Sequence, residues 1–459
     1  MPSLPDLLTD AQTSEERFLR QIFVRDQMEE WSKSPLLMAK AEGVHYWDIH
    51  GKRYLDALSG IYTVSLGHGN KRVIRAIRDQ FEIMHFSPPM HGTNPVAVQL
   101  ANLIASIAPG DLNTVKFQCA GSEVTEGAIK FARQYHKLTG NPGKYKIITR
   151  YMSWHGSTMG ALSASGLKSR RTVNEPLAPG FLHVFPPTCY RCPFGKQYPS
   201  CEITCATLVG DVIEMEDPST VAAIMVEPIG HTGGIIDPPP EYLRILREIC
   251  DRYNILLIFD EIITGMGRTG QMFAAETFGV IPDVICTAKG LSGGFIPLSA
   301  MIARKPLADV FWGPIETNPG FVEGHTFEGS PIACAAGIAV LREIVENDLC
   351  ANVRKQGEVL RRGFANLGEK YGIVGDIRGK GLLMGVEWVK NPATKERFPE
   401  SMKFGVRVGR RCLQNGLLCR FDPHWLAFGP ALISTSEQIE EMLALLDQSV
   451  GEVLNEGTK

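Results

Sequence analysis

Short apolar runs alternate with helical spacings through the middle of the chain. Residues 146–149, 222–227, 256–260, 284–287 and 299–303 are rich in Ile, Val and Leu. Continuous runs of this length fit strands of a parallel sheet covered on both faces. Between them, Leu243, Leu246, Ile249, Cys250 and Tyr253 recur at steps of three and four, behind Pro238-Pro239-Pro240. That spacing and start signal predict a helix over 241–253, and a second helical pattern runs over 124–135. The alternation predicts an α/β domain over residues 70–325, built on a mainly parallel central sheet.

The ends read differently. Before residue 70 lie a charged helical pattern and a hairpin over 43–55, turning at Gly51-Lys52. After residue 330 come long helical patterns, a strand over 382–388, and strands over 417–420 and 425–428. Thr435, with Gln438 three residues on, predicts a capping box at the start of the last helix. Residues 326–459 therefore read as a smaller α+β domain, with segment 1–69 packing against it. No internal repeat or low-complexity tract is present.

Composition narrows the class. With 459 residues, the length prior gives two or three domains. Hydrophobic residues at 44% and charged residues at 21% exclude a disordered, collagen-like or coiled-coil chain. Lys plus Arg is 47 against 50 Asp plus Glu, which gives no electrostatic reason for nucleic acid or an anionic membrane as partner. The longest apolar runs, 221–226 and 255–259, are too short to span a bilayer. The first 20 residues lack the basic and then apolar stretch of a signal peptide. The eleven cysteines, an odd count and mostly scattered in apolar contexts, read as a reduced, cytoplasmic inventory.

Four segments carry candidate chemistry. Ala120-Gly121-Ser122-Glu123 opens a helical pattern, where backbone N–H groups and a hydroxyl together hold phosphate; a serine there is also an ordinary helix cap. Asp260 ends a buried strand, where open parallel sheets place their ligands. Ile262, two residues on, shares its face, so the pair could grip a flat cationic ring by edge and face; the alternative is a helix-capping aspartate. Lys289 follows an apolar strand and precedes Gly290, Gly293 and Gly294. A desolvated lysine there has a lowered pKa and acts as nucleophile or base, unless it simply reaches out of a loop. Trp154-His155 follows the strand at 146–149 and offers a stacking ring and a polar partner, or a core aromatic.

Together, a phosphate cradle, a carboxylate for a ring nitrogen, a stacking aromatic and a buried lysine match the needs of pyridoxal phosphate. The same segments, with the run from Asp260 to Gly270, Ala288-Lys289-Gly290 and His325-Thr326-Phe327, resemble the class III aminotransferases in order and spacing. The resemblance implies the fold type I architecture: a large pyridoxal-phosphate-binding domain, a small C-terminal domain, and a homodimer with shared active sites, whether or not dimers pair into tetramers. It implies that Lys289 carries the cofactor as a Schiff base and that Asp260 binds the pyridine nitrogen. Trp154, with His155 beside it, and Ile262 would then cover the two ring faces. Gly121 and Ser122 would hold the phosphate, joined by Thr326 from the neighbouring subunit, with Glu227 near the cofactor. Val124-Thr125 departs from the family's frequent Ala-Asn.

Arg420 and the stretch from Phe428 to Leu432 resemble the ω-amino acid and amine:pyruvate branch. There the matching arginine holds the keto-acid carboxylate, as planar guanidinium does through two parallel bonds. Ile61-Tyr62 matches that branch's aromatic pocket wall, with Tyr62 and Trp154 toward the substrate. The implied reaction moves an amino group from an ω-amino acid or primary amine to pyruvate. The alternatives are 2-oxoglutarate as acceptor, or a decarboxylase or aminomutase of the same fold. Finally, Cys189, Cys192, Cys201 and Cys205 form two close pairs, open to zinc, disulfides or free thiols.

Overall fold

The computed structural model describes residues 7–24 and 27–456. Residues 1–6, 25–26 and 457–459, within the segments read as 1–69 and 326–459 and including part of the polar N-terminus, lie outside the described residues.

A seven-stranded sheet forms the centre. Its strands are β1 (Leu112–Gln118), β2 (Lys146–Arg150), β3 (Phe181–Val184), β4 (Val221–Val226), β5 (Leu256–Asp260), β6 (Val284–Thr287) and β7 (Ser299–Arg304). They lie in the order β1-β7-β6-β5-β4-β2-β3. All neighbours are parallel except β7, which runs antiparallel to both β1 and β6. The sequence pattern placed residues 299–303 in a parallel sheet. The connection from β6 to β7 holds only a 3-10 turn, Lys289–Leu291, whereas a parallel return needs a crossover of a dozen or more residues. The two strands absent from the sequence reading are the sheet edges. β1 alternates apolar and polar residues, and β3 is half-buried throughout, so neither forms a continuous apolar run.

Alternation along the strands feeds two cores. Ile147, Ala223, Met225 and Ile258 face helix α1 (Gly121–Leu138) and pack with its Val124, Ala128 and Phe131. Ile148, Ile224, Leu257 and Phe259 face the other side, with Leu243, Leu246 and Ile249 of helix α2 (Tyr242–Tyr253). The sheet is therefore buried on both faces, which is why β4 and β5 read as unbroken apolar runs.

The predicted hairpin forms between His45–Asp48 and Arg53–Asp56, beside a first strand Met38–Glu42. Asp48 Oδ1 closes its turn by accepting from the His50 and Lys52 N–H groups at 2.9 Å each. The stretch read as one strand over 417–420 is two. Leu417–Leu418 pairs in parallel with Leu55 and Asp56. Arg420–Asp422 joins an antiparallel sheet with Trp425–Phe428, Leu383–Trp388 and Val374–Lys380. The chain thus changes sheets at Cys419 and stitches its N-terminal segment to its C-terminal residues. The last helix, Ser436–Glu456, opens with the predicted box: Thr435 N–H donates to Gln438 Oε1 and Gln438 N–H to Thr435 Oγ1, at 3.0 and 3.3 Å. No helix among the described residues is long and apolar enough to cross a membrane.

Candidate active site

The carboxyl ends of β2, β4, β5 and β6 point to one edge of the sheet, where this topology gathers side chains. Asp260 closes β5 and is buried. Its Oδ2 accepts from His155 Nδ1 at 2.7 Å, and its Oδ1 from the Ile262 backbone N–H at 3.1 Å. A carboxylate only accepts, so this bond sets the proton of His155 on Nδ1. The second bond is a tight turn, and it carries Ile262 to the same cavity as Asp260; β5 has already ended, so strand alternation is not what aligns them. Asp260 is thus held by a histidine and a turn, and caps no helix.

Glu227 follows β4. Its Oε2 is buried without a partner. Burial pushes the carboxyl up to about 7, against the partial relief of His155 and Arg150 and with Asp260 adding to the rise. Arg150, at the end of β2, donates to the Glu227 carbonyl. Lys289 sits in the turn after β6 with φ +41°. Burial pulls its pKa down, and Asp260 and Glu227 restore part of it; this lysine does not reach out of a loop.

Helix α1 starts at this edge. Its N-cap is Ala120, with no side-chain cap, so its first-turn N–H groups stay open to the cleft. Ser122 is inside the helix rather than capping it, and its Oγ accepts from the Ser157 N–H at 2.9 Å. A Cβ on Gly121 would lie 3.2 Å from Ile262 Cδ1, so glycine lets the helix start close in on Ile262.

Two adjoining cavities result. The inner one, about 190 Å³, brings together Gly121, Ser122, Trp154, His155, Glu227, Asp260, Ile262 and Lys289. The outer one, about 480 Å³, shares Trp154 and Lys289 and reaches Arg420. Trp154 is half-buried at their junction rather than in the core. Two expected site residues lie elsewhere. Ile61, not Tyr62, lines the outer cavity. The Tyr62 ring is buried with Ile229, Leu383 and Trp425 and stands edge-on to His231 at 4.7 Å, because the Gly429 backbone leaves room there for a ring. Thr326 lines a separate cavity with Phe86, Met90 and His91.

The donor set fits one group. Open helix-start amides and a serine hydroxyl suit a phosphate. A buried carboxylate suits a protonated ring nitrogen, and a half-buried lysine of lowered pKa suits an aldehyde. The unpartnered buried atoms Glu227 Oε2 and His155 Nε2 mark a polar lining without a protein partner, which buried groups rarely lack.

Comparison with known proteins agrees: residues 27–450 match the family model for class-III aminotransferases. The chain belongs to the class-III aminotransferases. It is 39% identical to a probable aminotransferase of Mycobacterium tuberculosis over 418 residues, 89% of this chain and 88% of that one. It is 36% identical to a taurine–pyruvate aminotransferase of Bilophila wadsworthia, covering 90% and 92%. The crystal structure of the ω-transaminase of Pseudomonas jessenii in complex with PMP superposes with a TM-score of 0.91 at 29% identity, covering 96% and 98%. This class-III aminotransferase of the ω-transaminase branch has the fold type I architecture, uses pyridoxal phosphate and shuttles it through pyridoxamine phosphate.

Several site residues escaped the sequence reading. Arg150 had a signal: like Asp260, it sits at the carboxyl end of an apolar strand. Arg170, from the short helix Lys168–Arg171, and Asn174 and His231, from loops, line the outer cavity without any apolar periodicity to mark them. The thiols of Cys189, Cys192, Cys201 and Cys205 line one small cavity and are free. Burial, with repulsion from the neighbouring thiols, pushes Cys189 up to about 11 and Cys205 up to about 12, so both are protonated at neutral pH. Among the described residues no group of three or more His, Cys, Asp or Glu is arranged to hold a metal.

Proposed function

We propose that this aminotransferase moves an amino group from a primary amine or ω-amino acid to pyruvate. The observation that carries the reading is Arg420. It shares the outer cavity with Lys289 and Trp154, its Nε is buried without a partner, and its guanidinium stacks 5.6 Å from the Trp425 ring centre. A buried donor left unpaired awaits an acceptor, and a keto-acid carboxylate is the acceptor this reaction brings. The likeness to a taurine–pyruvate aminotransferase supports pyruvate.

When bound, pyridoxal phosphate supplies an aldehyde that takes up the amino group and a protonated ring that draws electrons from the reacting carbon. The chain's residues take the following roles. Gly121, Ser122 and the open start of α1 hold the phosphate. Trp154 and Ile262 cover the two ring faces. Asp260, fixed by His155, holds a proton at the ring nitrogen; its carboxylate is oriented before any ligand arrives. Lys289, with its lowered pKa, is the amine that anchors the cofactor. Once displaced, Lys289 Nζ would take the proton from the amine-bearing carbon of the donor as a base and deliver it, as an acid, to the cofactor carbon that had carried the aldehyde. Glu227 lines the same cavity as Asp260, a second acid that burial pushes up to about 7. Arg420 holds the acceptor's carboxylate.

At the level of the whole chain, we propose the division into segment 1–69, a cofactor-binding domain over 70–325 and a small domain over 326–459. We also propose a cytoplasmic homodimer in which Thr326 reaches the neighbour's site. Met90, which shares a cavity with Thr326, Phe327 next to it, and Trp312 and Ile315 earlier in the same connection are each more than 60% exposed, and exposed apolar surface marks an interface.

The test is a screen of amine donors against pyruvate and 2-oxoglutarate, reading alanine or glutamate. Alanine dominates on this reading, and dominant glutamate overturns it. Arg420→Ala raises the KM for pyruvate by about tenfold or more while leaving a plain amine's half-reaction nearly unchanged. Equal losses on both would remove Arg420 from this role.

A further inference from the structure

The two cavities separate charge. The inner one holds the carboxylates of Asp260 and Glu227. The outer one is lined by Arg170, Arg420 and Lys289 and, among the described residues, by no carboxylate. Arg420 is accounted for by the acceptor. Arg170 is not. It comes from a different segment, the short helix Lys168–Arg171.

That segment is fixed against the loop carrying Trp154. The Gly166 N–H donates to the Ser153 carbonyl at 3.1 Å, and the Gly166 carbonyl accepts from the Met152 N–H at 3.0 Å. A Cβ on Gly166 would lie 2.0 Å from the Arg150 carbonyl oxygen, so the approach requires glycine. Asn174 Nδ2 donates to the Arg170 carbonyl at 2.8 Å and lines the same cavity. The Arg170 guanidinium itself makes no ion pair or hydrogen bond among the described residues. A lone surface arginine of this kind is unremarkable. Two guanidinium groups from separate elements on one cavity are different, because an anion that enters is attracted by both. The same cavity is also lined by Leu162, Leu167 and Ile263, apolar side chains that suit a methylene spacer.

We propose that Arg170 binds an anionic group, carboxylate or sulfonate, at the far end of the amine donor. The site then prefers amines carrying an anion several bonds from the reacting carbon over plain amines of the same length. The proposal rests on the amine-to-pyruvate reading and names the donor class within it. Arg170 is a specificity residue that leaves the proton transfer to Lys289.

The experiment uses the holoenzyme and its Arg170→Gln and Arg170→Lys variants. Single-turnover half-reactions are followed by the absorbance of the lysine-bound cofactor, with 4-aminobutyrate and butylamine as donors and pyruvate and 2-oxoglutarate as acceptors. Arg170→Gln raises the half-saturating concentration of 4-aminobutyrate by about tenfold. Butylamine and pyruvate stay within about twofold, and Arg170→Lys recovers part of the loss, since it keeps the charge without the fork. Equal changes for both donors overturn the proposal, as does a change confined to 2-oxoglutarate, which makes Arg170 an acceptor contact. Wild-type turnover of butylamine but not 4-aminobutyrate overturns it too. Wild-type inertness toward both donors with pyruvate instead sinks the amine-to-pyruvate reading on which it rests.

Discussion

At Glu227, burial moves a carboxyl from 4.5 up to about 7. Between those pH values the unfolded chain has given up a proton that the folded chain keeps. Stability of the cofactor-free protein therefore falls as pH rises through that window and levels off above about 7. Glu227→Gln removes this contribution, so its denaturation midpoint declines less steeply from pH 4.5 to 7 than the wild type's; identical slopes would contradict the assignment. Glu261, pushed up to about 7 mainly by its own burial, remains in both proteins and cancels. Glu261 also shows what a single residue hides. It lies beside Asp260 in sequence, yet its oxygens accept from the Ala274 and Ala275 N–H groups at 2.6 and 2.9 Å, so it holds the start of the helix Ala274–Phe278 and leaves the inner cavity to Asp260. Asp260 and Lys289 were readable because one ends an apolar strand and the other follows one by two residues. Arg170 and Tyr62 were not: Arg170 sits in a four-residue helix and the Tyr62 ring turns onto the Gly429 backbone, and no periodicity records either.

Elements set the spacing of these residues. The Trp154 loop meets the start of α1 where Gly156 adopts φ +146° and a Cβ would stand 2.5 Å from Ser122 Oγ and 2.8 Å from Ala161 Cβ. Gly156→Ala therefore pushes the loop off the helix start and strains the backbone. We expect phosphate affinity to suffer first: cofactor titration should show binding weakened by about tenfold, with a stability loss of about 1–3 kcal/mol. Unchanged affinity would mean that the Ser122–Ser157 contact does not shape the cradle. The same scale explains what was readable in the fold. Strands buried on both faces, β4, β5 and β6, announce themselves as apolar runs. The edge strands β1 and β3 have a wet side and do not. The reversal of β7 depends on the length of one connection, and the break at Cys419 on a change of partner strand; neither leaves a mark in hydrophobic pattern.

Across the whole molecule, distant segments converge on the loop after β5. The buried Arg268 donates to the Leu382 carbonyl at 3.2 Å, to the Pro430 carbonyl, and to Ser59 Oγ at 3.1 Å. One guanidinium thus joins the cofactor edge to both chain ends, and the parallel pairing of Leu417–Leu418 with Leu55 and Asp56 repeats that link. Arg420 reaches the outer cavity from this joined assembly, while Lys289 and Asp260 come from the ends of central-sheet strands, so the two sets of groups are carried by different sheets. The claim on which all of this depends is that Lys289 is the cofactor-bearing lysine. Borohydride reduction of the holoenzyme followed by peptide mass mapping tests it most directly. The account predicts a reduced pyridoxyl-phosphate adduct on the peptide containing Lys289, absent from Lys289→Ala, which also loses turnover by several orders of magnitude. An adduct on another lysine, or a Lys289→Ala enzyme that keeps both the adduct and its turnover, would contradict it.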